Sequence, residues 1–463
     1  MDVDDLTERS AVELAELIRA GDVSVVEVVT AHLDRIEQVN IDVNAIVAMF
    51  SREEILAAAA AADAGEPVGP LHGLPIAVKD LDDVAGLPTR AGSLITSDRP
   101  AEEDGLVASR VRAAGAIIIG KTNTPEFGAG SHTFNEVYGL TRNPWNLDHS
   151  AGGSSGGAAA ALGARMLPIA DGSDLGGSLR NPAAFNNVVG LRPTMGRVPS
   201  PLGARRQLDR FGVQGPMGRT VADAALLLSA LAGPHPDDDV SLPEDGRSFR
   251  DLEPAADDVR LAFGGDMEMF PVEPEVLACC ESTAAAIVDV GGVARPAAPD
   301  LCEAMEVFRI ARGWSMRILS SLEGWRSMKS TLVANIEYGL SLTGDDVVRA
   351  EEMRLGLVAT MESFFEEHDV LALPSAQVAP FPADREFPTE INGDPMSDYL
   401  QWMTTCCVIS ATGCPAISIP AGFTNAGLPA GLQLVAPWGE ERRLLGIAAA
   451  IEENRPFHLQ RPL

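Results

Sequence analysis

Ala151-Gly152-Gly153-Ser154-Ser155-Gly156-Gly157 runs straight into Ala158-Ala159-Ala160-Ala161-Leu162. A second run, Asp171-Gly172-Ser173-Asp174-Leu175-Gly176-Gly177-Ser178-Leu179-Arg180, follows soon after. Glycines let backbone N–H groups approach a ligand and adopt dihedrals that other residues avoid. Serine hydroxyls among such amides suit acyl transfer, which needs a nucleophile and donors aimed at a developing oxyanion. A Gly/Ser cluster in isolation is more often a flexible linker. The alanine run changes that reading, because it is a strong helix former and puts the glycines at a helix N-terminus. Two rival motifs fail on context. A phosphate cradle would need Gly-Lys-Ser/Thr after the glycines, and none follows. Gly152 to Gly156 fits G-x-S-x-G, but a nucleophile elbow follows a strand, and Asn143-Pro144-Trp145-Asn146-Leu147-Asp148-His149 reads as loop.

A hydroxyl nucleophile needs a base. The histidines, at 32, 72, 132, 149, 235, 368 and 458, are scattered singly and read as surface or core residues. Lys79 stands out. It ends the apolar, strand-like Gly73-Leu74-Pro75-Ile76-Ala77-Val78-Lys79-Asp80, whose burial would depress the amine's pKa. Of the 35 lysines and arginines only those at 79, 121 and 329 are lysine. A guanidinium cannot give up its proton, which explains a lysine kept at 79 in a chain that otherwise uses arginine.

These stretches, with Gly120-Lys121-Thr122-Asn123-Thr124-Pro125-Glu126-Phe127, Asn143-Pro144-Trp145 and Gly215-Pro216-Met217, occur in one order over most of the chain. Together they resemble the amidase signature family. The resemblance implies that Ser178 is the nucleophile, that Ser154 follows a cis peptide bond and relays the proton, and that Lys79 is the base. It implies an oxyanion hole from the amides of Leu175, Gly176, Gly177 and Ser178, supported by Ser155, Ser173, Asp174 and Arg180. It also places Phe127, Gly128, Ala129 and Gly130 beside the acyl chain, with Trp402 and Met403 facing them. No cofactor and no metal are expected.

The implied fold is α/β, one large α/β/α sandwich with a mixed, twisted central sheet covered by helices. One amidase domain would span 1–463, with the signature core at about 60–230. A variable helical segment over the site is expected at about 300–366, and C-terminal strands and a helix at about 367–463. Local pattern agrees. Ser10…Glu13 and Ser24…Glu27 fit capping boxes that start helices ending near Gly21 and Asn40. Residues 106–126 read as a helix followed by a strand at Ala116 to Ile119, and Val221 to Leu231 as a helix. Strands at 258–263 and 292–295 flank a helix from Glu273 to Val290, and buried strands are expected at 370–374, 416–420 and 431–435.

The net charge of −31 argues against nucleic acid or an anionic membrane as partner. The acidic start lacks a signal-peptide core, and six cysteines without metal or framework spacing read as reduced core residues, which points to the cytoplasm. The expected partner is a small-molecule amide or carbamate, and a homodimer is one assembly open to the chain. The small, mostly uncharged segment after Pro125, with Trp402 and Met403, predicts neutral, hydrophobic or aryl amides, with aryl carbamates as further substrates. Two other functional classes stay open, a glutamine-amidotransferase subunit that delivers ammonia to a partner and a catalytically dead binding module. The first would place an acidic residue near Gln401-Trp402-Met403, and the second is at odds with an intact Lys79, Ser154 and Ser178.

Overall fold

Capping decides where the first helices begin. Ser10 and Ser24 each accept the N–H of the glutamate three residues on and have their own N–H capped in return, starting α1 (Ala11–Ala20) and α2 (Val25–Val43). Gly21, at φ 75°, ends the first; the second runs past Asn40 to Val43. The computed structural model describes residues 6–200, 209 and 211–462. After β1 (Ile46–Met49) a third capping box, at Ser51, opens α3 (Arg52–Asp63). Strand β2 (Pro75–Lys79) lies parallel to β3 (Ile117–Thr122), reached through α4 (Leu106–Ala113). β1 pairs antiparallel with the other edge of β3 and completes a three-stranded sheet.

A second, eight-stranded sheet carries the other half of the site. Its strands are β4 (Ile169–Asp174), β5 (Val189–Arg192), β6 (Val213–Gly218), β7 (Arg260–Phe263), β8 (Val293–Pro296), β9 (Val370–Pro374), β10 (Ala416–Phe423) and β11 (Pro429–Val435). Their order is β8-β7-β9-β11-β10-β5-β6-β4, parallel at β7 with β8 and β9 and antiparallel elsewhere, so the sheet is mixed, as the resemblance implied. The C-terminal strands fall where the apolar runs predicted, each buried along almost its whole length.

Helices α5 (Gly156–Gly163) and α6 (Arg180–Asn186) are buried over their full length between the sheets. Gly157 allows this, since a Cβ there would lie 2.3 Å from the Asn123 backbone nitrogen. Further helices, α7 (Val221–Leu231), α8 (Pro274–Ala285), α9 (Ala304–Met316), α10 (Ser330–Ser341), α11 (Gly344–Glu367), α12 (Thr404–Thr412) and α13 (Glu441–Asn454), complete the described chain.

Two expectations need correction. Residues 143–149 are not loop throughout: Arg142–Asn143 and Asn146–Ser150 form a short hairpin, its turn held by the Asn143 side chain accepting the Trp145 N–H at 2.9 Å. The cysteines are all free, but only four are core residues; Cys279 is partly exposed and Cys302 exposed.

Candidate active site

Lys79 is the last residue of β2, and only 1% of its surface is exposed. Its Nζ lies 2.8 Å from Ser154 Oγ, 2.9 Å from Ser155 Oγ and 3.0 Å from Ser173 Oγ. Ser154 and Ser155 come from the turn that enters α5, and Ser173 from β4, so one amine gathers hydroxyls from two elements. Burial lowers the Lys79 pKa to about 7, although Asp171 and Asp174 favour the charged form. A neutral amine has a lone pair as well as N–H donors, and three hydroxyls can satisfy both. Asp171 Oδ1 accepts the Lys79 backbone N–H at 2.9 Å and so ties β4 to β2; burial raises its own pKa.

The Gly153–Ser154 peptide is cis. The carbonyl of this peptide and the one before it are held by hydroxyls from a neighbouring loop: Ser131 Oγ donates to the Gly153 oxygen and Thr133 Oγ1 to the Gly152 oxygen, both at 2.8 Å. Asn181 Nδ2 supports Ser131 Oγ at 3.0 Å. Nothing in their local sequence marks Ser131, Thr133 or Asn181 for this task; only the folded chain brings them to the turn.

After β4 the chain bends through Leu175 to Ser178 into α6. Asp174 organises that bend. Its Oδ1 accepts the Gly177 N–H at 2.8 Å and its Oδ2 the Leu179 N–H at 3.1 Å, while Arg180 binds both oxygens, at 2.9 and 3.0 Å. Arg192 Nη1 lies 3.2 Å from Oδ1. Burial works against the carboxylate, but the two guanidiniums and the Gly177 amide outweigh it and hold Asp174 well below the usual carboxylate range. Gly177 therefore does not fit the expected oxyanion hole, because its N–H is taken. Among the described residues the amides of Leu175, Gly176 and Ser178 have no such partner. Gly177 has φ 116°, and a Cβ there would sit 2.7 Å from Cys406 Cβ and from Asn181 Nδ2. Gly177→Ala is expected to lower stability by about 1–3 kcal/mol, read as a shift in the urea unfolding midpoint.

Ser154, Ser173, Asp174, Leu175, Gly176 and Ser178 line a cavity of about 210 Å³. Phe127, Gly128, Gly130 and Met403 border it as expected, but Ala129 and Trp402 do not. Ala129 turns into a small cluster with Trp325 and Met328. Trp402 is fully buried, stacked on Phe185 with centroids 6.0 Å apart and edge-on to Phe381 at 5.4 Å. The reason is local: Gln401–Met403 is a turn of 3₁₀ helix, so adjacent side chains point to different sides, and Met403 faces the cavity while Trp402 faces the core. Sequence reasoning missed Leu81 and Tyr399 on the cavity wall, whereas Phe308, Arg312 and Met316 belong to the segment at about 300–366 that was expected over the site without any of them being assigned to the pocket. The usable signal was the four-residue spacing of Phe308, Arg312 and Met316. The wall is also not free of charge, since Arg312 and Asp209 both border it.

A family model described as Amidase matches residues 27–445, and the chain belongs to the amidase signature family of amide-hydrolysing enzymes. It is 37% identical to an acylamidase of Rhodococcus erythropolis, over 98% of this chain and 97% of that protein. It is 36% identical to a glutamyl-tRNA(Gln) amidotransferase subunit from Thermus thermophilus, over 97% and 98% of the two chains. Its fold matches the crystal structure of a bacterial aryl acylamidase of the amidase signature family with a TM-score of 0.89 at 28% identity, covering 98% of this chain and 99% of the other. No helix among the described residues is long and apolar enough to cross a membrane.

Proposed function

We propose that the chain hydrolyses hydrophobic or aryl amides through an acyl-enzyme on Ser178; the expectation of a strictly neutral substrate is set aside because Arg312 and Asp209 border the cavity. The observation that carries this reading is the buried Lys79 amine, its pKa lowered to about 7, within 2.8 Å of Ser154 Oγ on the cavity that Ser178 also lines. Ser154 passes its proton to neutral Lys79 and takes the proton of Ser178, whose oxygen attacks the carbonyl carbon. The amides of Leu175, Gly176 and Ser178 stabilise the oxyanion, each contributing about 3–4 kcal/mol to lowering the barrier. Collapse of the tetrahedral species breaks the C–N bond, and the proton returns from Lys79 through Ser154 to the leaving amine. Water then attacks the ester, and the same relay carries its proton to the departing Ser178 oxygen. Aryl carbamates require the same carbonyl attack and are proposed as further substrates.

A sulfonyl fluoride is expected to modify Ser178 and no other serine, as read by peptide mapping. An adduct on Ser154 or Ser155 would contradict the assignment. The second reading, an amidotransferase component that uses glutamine, is favoured by the Thermus thermophilus relative. At about 0.8 kcal/mol per buried methylene, an apolar acyl group gains affinity on a wall built from Leu81, Phe127, Phe308, Met316 and Met403, and glutamine has less to bury. An aryl amide should therefore exceed glutamine in kcat/KM by about 100-fold. If glutamine were the better substrate, the amidotransferase reading would replace this one.

A further inference from the structure

Facing the Ser178 bend across the cavity, α9 presents Phe308, Arg312 and Met316. Residues four apart lie on one helix face, each about 6 Å farther along the axis. Phe308 marks the inner end of this stripe, because a Cβ on Gly176 would lie 2.4 Å from its ring. Arg312 stands one turn farther out and is 5% exposed.

The surroundings of this guanidinium are unusual. Among the described residues its guanidinium hydrogen-bonds to the Tyr399 hydroxyl alone, whose ring centroid lies 5.6 Å from Cζ, and its buried Nε has no partner among them. No carboxylate among the described residues lies within ion-pair distance of it. Asp398 is bound by Arg309 at 2.7 and 3.1 Å, and Asp174 by Arg180 and Arg192. Glu386 is bound by Lys329 at 3.0 Å, and Asp209 turns Oδ1 to the amides of Phe211 and Gly212. Arginine cannot shed its charge, and a buried charge without a counter-ion is costly. Its planar fork of N–H groups matches a carboxylate in bidentate geometry.

We propose that Arg312 forms, with the Tyr399 hydroxyl, a subsite for a substrate carboxylate. The preferred substrates are then apolar amides that also carry a carboxylate. This rests on the acyl-transfer reading of the Ser178 cavity. Neutral amides still bind along the apolar wall, but without this anchor.

Binding to the Ser178→Ala enzyme, which cannot form an acyl-enzyme, tests the subsite apart from turnover. Calorimetry would compare adipamate with hexanamide, which differ by a carboxylate on the acyl side. It would also compare 4-acetamidobenzoate with acetanilide, which differ by a carboxylate on the amine side. At least one carboxylate should bind about tenfold tighter than its neutral partner. Arg312→Met in the same background should remove that advantage and leave the neutral ligand within about threefold, and Arg312→Lys should restore part of it. The proposal is overturned if neither carboxylate binds tighter, or if Arg312→Met weakens charged and neutral ligands alike. Failure of the underlying reading shows separately, as sulfonyl fluoride labelling away from Ser178 in the unmutated enzyme.

Discussion

Lys79→Arg should be as inactive as Lys79→Ala, both losing on the order of 10³-fold or more in kcat. The argument is one of proton affinity. The proposed mechanism asks Nζ to accept a proton from Ser154, and a guanidinium is always charged and has no lone pair to offer. The same reasoning fixes the pH dependence. With the Lys79 pKa lowered to about 7 by burial, the amine is mostly protonated below that value and mostly free above it. Activity should therefore rise about tenfold per pH unit on the acid side and level off above about pH 7. Residual activity in Lys79→Ala should lack this rise. A pH profile of kcat/KM for the parent enzyme, with single-pH assays of both variants, checks all three statements. An arginine variant with more than a tenth of normal turnover would remove Lys79 from the role of base.

Asp174→Asn should lower the unfolding free energy by about 3–5 kcal/mol, the usual result of removing one partner from a buried ion pair. Arg180 and Arg192 would stay buried without their carboxylate, and an amide cannot replace both of its oxygens as acceptors for Gly177, Leu179 and Arg180. The bend that carries Ser178 would lose its organiser, so the variant should also label more slowly with a sulfonyl fluoride. The acid response has a definite sign. Because the folded-state pKa of Asp174 is depressed, its contribution is present above the unfolded value of about 4 and is lost as pH falls through the folded value. The asparagine variant should lack that part of the acid sensitivity. Denaturant unfolding at neutral and acidic pH measures this, and a loss below about 1 kcal/mol at neutral pH would contradict it.

Local pattern and motif order carried much of this architecture. Capping boxes at Ser10 and Ser24 set helix starts, apolar runs set β9, β10 and β11, and a lysine at the end of a buried strand singled out Lys79. What the sequence hid was direction. The backbone of Gly177 was expected to face the oxyanion, but the Asp174 side chain captures it, a contact that no spacing rule foretells. Trp402 and Met403 are neighbours in the chain, and the 3₁₀ turn sends one into the core and the other to the cavity. Arg312 was read past because α9 is far from the signature motifs in sequence and meets the cavity only through tertiary packing.

Lys79 ends a strand of the small sheet, whereas Ser173 belongs to an edge strand of the large one and Ser178 follows that strand, with Asp171 bonded across the junction. Were the two sheets apart, the lysine would lose the burial that lowers its pKa, the value would return toward the free amine's, about 10.4, and the amine would be protonated at neutral pH. On the proposed mechanism such a chain has no base, whatever secondary structure it has already formed. Reactivity is thus conditional on completed assembly: a nascent or partly opened molecule is chemically silent toward the amide bonds around it, and the titration of one amine reports whether the two halves have come together.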